Sequence, residues 1–239
     1  MLFRSIDGGA YDAQLMVLKA LDATGKGSDA SVAKAIEYAV DHGADIINLS
    51  LGQYTPDASL FSAIRYADAH GVIVVAAAGN SAAGTPNFPA AYAEFLPNVI
   101  AVGATNATQS SVAMSDFSNH AGTDKPYNFV DAIGVDILGI GLNDQEGYWS
   151  GTSMATPYIS AEAAILKQAN PHATAAEIVQ AITHTAEKIQ ISVAGLQIDI
   201  SAPASNKANA QSSMQSFESY HLETASSHFT QYVPSEQYY

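Results

Sequence analysis

Short apolar runs alternate with segments of helical period along the first half of the chain, and this alternation restricts the fold more than any other feature. The runs 13–21 and 44–51 are apolar, as expected of buried strands. The segment between them, 28–43, has helical period. Its apolar residues on one helical face are Val32, Ala35, Ile36, Ala39 and Val40. Together the three segments predict one β-α-β unit.

The same pattern then recurs. Segment 55–71 predicts a helix that ends at its last glycine, and the runs 72–80 and 98–106 predict two further strands. Strands that alternate with helices form a mostly parallel sheet flanked by helices, so the expected fold class is α/β. In such sheets ligands bind beyond the carboxyl ends of the strands, which is where Ser50-Leu51-Gly52 and Gly79-Asn80 fall.

The last third of the chain divides into a helix, a strand and a tail. Thr174 and Glu177 have the spacing of a capping box, which predicts a helix from that point. Segment 195–205 predicts a closing strand followed by a break rich in Pro, Ala and Ser. Residues 205–239 follow no clean period. We interpret them as a weakly ordered extension whose aromatic residues leave docking onto the domain or a partner open.

The composition limits the class of the protein and its partners. With 239 residues, 48% of them hydrophobic, the chain can form one sizeable domain with a large core. Its formal net charge of -14 argues against binding to nucleic acids or anionic lipid. The absence of cysteine excludes disulfides, zinc–thiolate sites and cysteine nucleophiles. No apolar run reaches the roughly 18 residues of a membrane span, and the first residues lack the apolar core of a signal peptide.

The stretch 148–166, YWSGTSMATPYISAEAAIL, places Ser153 directly before an alanine-rich helical run. A serine there can cap the helix, because its side-chain oxygen accepts from a free backbone N–H, or it can act as a nucleophile. Pro157 is compatible with the helix because it stands near the helix start, where donors lack intrahelical partners. This stretch by itself does not decide between cap and nucleophile.

Three segments together favour the nucleophile. SGTSMATP (150–157), VVAAAGN (74–80) and DIINLSLG (45–52) resemble the nucleophile motif, the oxyanion-asparagine motif and the substrate-binding strand of the subtilisin-like serine proteases, the subtilases of peptidase family S8, in that family's order. The resemblance runs from about Asp12 to Ala204 and includes FPA (88–90), where the family has a cis-proline. It implies a three-layer subtilisin-like fold over residues 8–204 that lacks its N-terminal strands.

The resemblance also assigns roles at the site. Ser153 is the expected nucleophile that forms an acyl-enzyme, and Asn80 is the expected side-chain donor of the oxyanion hole, beside backbone N–H groups at the helix N-terminus. The strand end would pair with an extended substrate backbone, and the small residues before Asn80 would form a wall of the specificity pocket. The residues expected to bind substrate are Ser50, Leu51, Gly52, Ala77, Ala78, Gly79 and Thr152.

The sequence departs from the family in several places. Motifs for the catalytic Asp and His are lacking, so we expect a C-terminal part of a catalytic domain that is inactive alone. His42 and His70 precede glycines at predicted helix ends, where a cap is the expected role. Glu162 stands where the family has small apolar residues. Its carboxyl should therefore have a raised pKa or a partner.

Two other functions stay open. A peptide-binding pseudoprotease would hold an extended peptide without cleaving it, which fits the lacking Asp and His. An α/β-hydrolase esterase would use Ser153 with Asp199 and either His221 or His228, although Ala155 replaces the second glycine of its motif.

The resemblance implies no cofactor for the chemistry and a polypeptide substrate, with a propeptide or an inhibitor as further partners. Neither nucleic acid nor a membrane is an expected partner. Family members often hold structural calcium, which binds carboxylate and carbonyl oxygens, but the sequence leaves the metal ligands unknown. Because most bacterial relatives are exported, we expect an extracellular or cell-envelope location for the full-length protein, although this chain shows no signal peptide.

Overall fold

A five-stranded, mostly parallel sheet forms the centre of the molecule. The computed structural model describes residues 9–10, 12–107, 112–123, 125–141, 146–185, 189–193, 196–200 and 231–232. The strands of the central sheet are β1 (Ile46–Leu49), β2 (Ile73–Ala77), β3 (Val99–Ala107), β4 (Val112–Met114) and β5 (Phe129–Ile133). β1, β2 and β3 are parallel neighbours, β5 pairs parallel with β3, and β4 forms an antiparallel hairpin with β3. The predicted parallel sheet is confirmed.

Helices cover both faces of this sheet. One face carries α1 (Asp29–Asp41), α2 (Ala58–Ala69) and a short 3-10 helix (Ala90–Glu94), and the other carries α3 (Thr152–Ala169) and α4 (Ala175–Thr185). Successive strand residues point to opposite faces, so Val74 and Ala76 pack under α1 and α2 while Val75 packs under α3 and α4. Because both faces are covered, the strands read as continuous apolar runs. The three-layer α/β fold is confirmed.

Two smaller sheets complete the described structure. β6 (Ile137–Ile140) pairs with β7 (Glu146–Trp149) and with β10 (Gln231–Tyr232), and β8 (Ile189–Val193) pairs with β9 (Leu196–Ile200). β9 lies within the predicted closing strand. Of segment 205–239 the structure describes only β10, so the interpretation of the remaining tail, with His221 and His228, lies outside the described residues.

The first predicted strand, 13–21, is wrong. This segment has no regular secondary structure, and Leu15 and Val17 are each 89% exposed. Leu18, Ala20 and Leu21 do pack partly against the core under α1. Its backbone makes isolated hydrogen bonds, such as Ala20 O with Ser31 Oγ, but no described strand pairs with it, and an extended segment without a ladder partner is not a strand. The apolar composition of a segment does not reveal whether folding brings a neighbouring strand to it.

The helix ends follow the local sequence. Ser28 caps α1, Asp57 caps α2, and the predicted capping box of α4 is confirmed, with Thr174 N donating to Glu177 Oε2 at 2.8 Å and Glu177 N donating to Thr174 Oγ1 at 3.2 Å. Gly71, which follows α2, has a φ of +70°. Within the described part of the chain, no helix is both long enough and apolar enough to cross a membrane.

Candidate active site

Three separate segments meet beyond the carboxyl ends of β1 and β2. They are the strand end at Ser50, the loop at Gly79-Asn80, and the first turn of α3 with Thr152 and Ser153. Hydrogen bonds join the strand end and the loop to α3 across more than seventy residues of sequence. These five predicted site residues are therefore brought together, at the sheet edge where the α/β topology places ligand sites.

Ser153 is the second residue of α3 and does not cap it. The N-cap is Gly151, which makes no side-chain capping bond. Ser153 is half-buried, and its Oγ donates to the backbone oxygen of Ser50 at 3.2 Å. Its N–H belongs to the first turn, whose donors have no partner within the helix and carry the positive end of the helix dipole. The serine therefore presents a hydroxyl and a free backbone donor at the same place.

Pro157 is accommodated for a reason that differs from the sequence argument. It is the sixth residue of α3, beyond the first turn, so its ring removes the donor that would bind the carbonyl of Ser153. That carbonyl instead accepts a hydrogen bond from Ser50 Oγ at 2.9 Å. Ser50 also accepts from Asn48 Nδ2 at 3.0 Å, and these bonds tie β1 to the turn that carries Ser153.

The amide of Asn80 is held in one orientation by Thr152. Asn80 Oδ1 accepts from Thr152 N at 2.8 Å and from Thr152 Oγ1 at 3.0 Å. Because a backbone N–H can only donate, the amide atom that faces Thr152 must be the oxygen, and Nδ2 is the other end of the amide. Gly79 N donates to the same Thr152 hydroxyl at 3.1 Å. Thr152 thus fixes the donor end of Asn80, a role that the sequence did not reveal.

The other predicted substrate-binding residues surround this cluster without joining it. Gly52 is exposed and Leu51 is half-buried against the core, and no hydrogen bond among the described residues connects either with Ser153. Ala77 and Ala78 are 4% and 0% exposed. Their assignment as a pocket wall, like the substrate-binding role of Leu51 and Gly52, stays a prediction.

Asn119 supports the loop that carries Asn80, and the sequence analysis missed it. It lies in the turn after β4, is fully buried, and hydrogen-bonds to loop residues on both sides of Asn80. A single asparagine in a polar turn carries no periodic or motif signal. The only indication in the sequence is that Asn119 stands among Ser, Asn, His and Gly residues typical of a turn.

The described histidines do not activate Ser153. His42 and His70 are the C-caps of α1 and α2, as predicted, and lie before the amino ends of β1 and β2, at the opposite edge of the sheet. Their rings pack against Tyr38 and Tyr66. No histidine within the described ranges hydrogen-bonds to Ser153. The same part of the chain contains no group of three or more His, Asp or Glu residues arranged to hold a metal ion.

Two carboxyl groups are buried away from this cluster. Burial raises the pKa of Glu162, on α3, to about 7, and burial likewise raises the pKa of Asp131, on β5, to about 7. The predicted raised pKa of Glu162 is confirmed. Neither carboxyl hydrogen-bonds to Ser153.

Comparison with known proteins agrees with this geometry. The model of the subtilase family matches residues 3–213 of the chain. Subtilisin Savinase from Lederbergia lenta is 37% identical over 189 residues, which cover 76% of this chain and 64% of that protein. The minor extracellular protease Epr from Bacillus subtilis is 36% identical over 170 residues, which cover 71% of this chain and 25% of that protein.

A solved structure gives the same result at the level of the fold. Sphericase superposes with a TM-score of 0.63 and 29% sequence identity, over 72% of this chain and 59% of that one. The chain spans less than two thirds of the length of each of these three proteins.

Proposed function

The chain belongs to the subtilase family, and from that premise we propose that it provides the nucleophile and the oxyanion hole of a serine endopeptidase. The observation that carries the proposal is the locked amide of Asn80 beside Ser153. A donor whose orientation is fixed before substrate arrives stabilises developing negative charge without reorganising during the reaction. The family membership also favours this reading over an α/β-hydrolase esterase.

In the proposed reaction Ser153 Oγ attacks the carbonyl carbon of a peptide bond and forms an acyl-enzyme. The negative charge that develops on the carbonyl oxygen is stabilised by Asn80 Nδ2 and by the backbone N–H of Ser153 at the start of α3. The leaving amine takes up the proton that the Ser153 hydroxyl gave up, and water then hydrolyses the ester and restores that hydroxyl.

The proton of Ser153 needs a base that the described residues do not place at the serine. In this structure Ser153 Oγ donates to the carbonyl of Ser50, which is an acceptor but not a base at neutral pH. We propose that an imidazole takes this proton in the active protein. The alternative is a peptide-binding pseudoprotease, which the lack of a described histidine at Ser153 supports.

The proposed substrate is a polypeptide in extended conformation, paired with the strand end at Ser50–Gly52. A propeptide or a protein inhibitor would bind in the same way. The similarity to a protease named as extracellular supports a proposed location outside the cytoplasm. Structural calcium stays a proposal without assigned ligands, and no cofactor is proposed for the chemistry.

Ser153→Ala and Asn80→Leu test the proposed function in the protein at its natural length. Ser153→Ala should abolish hydrolysis of a chromogenic peptide, and Asn80→Leu should lower kcat by about 10²–10³-fold with little change in KM. The matched control is Ser62→Ala, because the Ser62 hydroxyl bonds only within α2, to Ala58 O.

Peptidase activity that survives in Ser153→Ala would contradict the nucleophile assignment. An intact protein that binds peptide but shows no turnover, and whose Ser153 is not labelled by a fluorophosphonate, would favour the pseudoprotease.

A further inference from the structure

A buried asparagine outside the catalytic motifs holds the loop on which Asn80 is mounted. We propose that Asn119 is a positioning residue for the oxyanion hole: it clamps residues 78–83 so that the amide of Asn80 stays directed at the reaction site. This inference rests on the proposed function, because it assigns how the proposed oxyanion donor is kept in place.

The side chain of Asn119 binds the chain on both sides of Asn80. Its Oδ1 accepts three hydrogen bonds at 3.0 Å, from Ser81 N, Ser81 Oγ and Ala83 N. Its Nδ2 donates to Ala78 O at 2.9 Å, and its backbone N–H donates to Gly79 O at 2.9 Å. Asn80 itself makes no hydrogen bond to Asn119, so the clamp acts on its neighbours.

The loop is shaped around this side chain. Gly79 has a φ of +111°, and a Cβ added there would lie 2.5 Å from Asn119 Nδ2. A side chain at position 79 would therefore collide with the clamp. Ala82 has a φ of +52°, which a residue with a Cβ rarely adopts. A backbone in such conformations persists only where its surroundings fix it, and the side chain of Asn119 makes four hydrogen bonds to this loop.

Asn119 is itself fixed. It is 0% exposed, and its Nδ2 donates a second bond to Asn87 Oδ1 at 3.1 Å. With both amide protons donated and its oxygen accepting three bonds, the group cannot rotate without leaving buried polar atoms unpaired. The clamp is thus rigid, as a support for a catalytic donor needs to be.

Two independent supports consequently determine where Asn80 Nδ2 points. Thr152 holds the amide oxygen from α3, and Asn119 holds the backbone from the turn after β4. Without Asn119 the backbone of residues 78–83 would be free to move, while the amide of Asn80 would still be hydrogen-bonded to Thr152. Because a displacement of about 1 Å at a catalytic group can cost as much as 10²-fold in rate, the effect should appear in kcat.

The test is a double-mutant cycle between Asn119→Ala and Asn80→Leu in the protein at its natural length, with kcat and KM measured on one peptide substrate. We expect Asn119→Ala alone to lower kcat by about 10- to 100-fold and to change KM by less than about twofold. In the Asn80→Leu background the same substitution should change kcat by less than about threefold, because the donor it positions is already absent.

Asn98→Ala is the matched control. Asn98 is 7% exposed and hydrogen-bonds to Asp68, at the amino end of β3 and away from the site. It should lower stability to urea as Asn119→Ala does, yet leave kcat unchanged. Should Asn119→Ala fail to fold, Asn119→Asp replaces it, because a carboxyl oxygen still accepts from Ser81 and Ala83 while the donors to Ala78 and Asn87 are lost.

The outcomes separate this inference from the proposed function. If Ser153→Ala or Asn80→Leu leaves turnover intact, the proposed function is wrong and the inference falls with it. If both abolish or depress turnover while the Asn119 variant keeps the parental kcat, or loses the same factor with and without Asn80, the positioning role alone is overturned.

Discussion

Glu162 and Asp131 carry carboxyl groups that burial keeps protonated well above the pH at which carboxylic acids usually ionise. Burial raises the pKa of each to about 7. Asp131 Oδ1 has no hydrogen-bond partner, and it occupies the space that a side chain on Gly103 would fill. The carboxyl of Glu162 is likewise enclosed, although the residue as a whole is only partly buried. Neither group is balanced by a cation in the described structure.

Glu162→Gln should remove part of the pH dependence of stability. A raised pKa in the folded state means that the folded protein binds more protons than the unfolded chain between about pH 4.5 and 7. The contribution of Glu162 to the free energy of unfolding is therefore fully present at a pH below the pKa of this group in the unfolded chain. It is lost as the pH rises through about 7. We expect Glu162→Gln to be more stable than the parent at pH 8 by on the order of 2 kcal/mol, and equal to it near pH 4.

Urea unfolding followed from pH 4 to pH 8 measures this difference. Glu37→Gln, at an exposed position on α1, is the control for the loss of one negative charge. A Glu162→Gln curve that runs parallel to the parental curve over the whole range would show that the carboxyl ionises as freely in the folded protein as in the unfolded chain.

At the scale of elements, the position of α3 depends on its contact with the end of β5. Gly151 N donates to Gly134 O at 2.7 Å, which ties the N-cap of α3 to the residue after β5. A Cβ added at Gly134 would lie 2.7 Å from Gly151 O and 2.7 Å from Ala104 Cβ. The absence of a side chain at Gly134 therefore lets the first turn of α3, with Ser153, sit against the sheet.

Gly134→Ala should move that turn. The methyl group has no space, so the start of α3 must shift, and we expect a loss of about 1–3 kcal/mol in the free energy of unfolding together with a lower kcat. Gly84→Ala is the matched control, since a Cβ at Gly84 would meet nothing within 4 Å. Urea unfolding and peptide hydrolysis measure the two effects. Equal stability of the two variants would mean that the contact with Gly151 is not tight.

At the scale of the whole molecule, the β1 edge of the central sheet and one apolar segment are left without partners in the described structure. β1 pairs with β2 on one side only, and the backbone of the segment around Leu15–Val17 makes no sheet hydrogen bonds. Leu15 and Val17 are the most exposed large apolar side chains described. Exposed apolar runs and open sheet edges each promote association between chains.

The 239-residue chain on its own should consequently aggregate through this segment. Substituting both Leu15→Glu and Val17→Glu should reduce light scattering on heating and reduce binding of a hydrophobic dye, with little change in the urea midpoint. Phe95→Glu is the control, because Phe95 is 63% exposed but lies outside segment 13–21. Equal improvement in the control would mean that added negative charge, not the segment, is responsible.

The sequence by itself predicted the layered fold and the residues of the proposed site at its edge. Apolar runs, helical periods and cap residues are local properties, so they predicted the parallel strands, the flanking helices and the capping box of α4. The positions of Ser50 and Asn80 after two buried strands predicted that both lie toward one sheet edge, and the resemblance to the subtilisin-like proteases added Ser153 to the same site. The strand and helix predictions needed only the period of each segment and the topology of α/β sheets, whereas the roles at the site were implied by the resemblance.

Only the tertiary structure decided which atoms face each other. Segment 13–21 would be a strand only if folding placed another strand beside it, and the local sequence pattern does not reveal whether that happens. The hydroxyl of Ser50 satisfies the carbonyl freed by Pro157 across 103 residues of sequence, and Asn119 binds the Asn80 loop from 36 to 41 residues away. Such hydrogen bonds leave no periodic signal, because they join groups that folding, and not the order of the chain, brings within 3 Å.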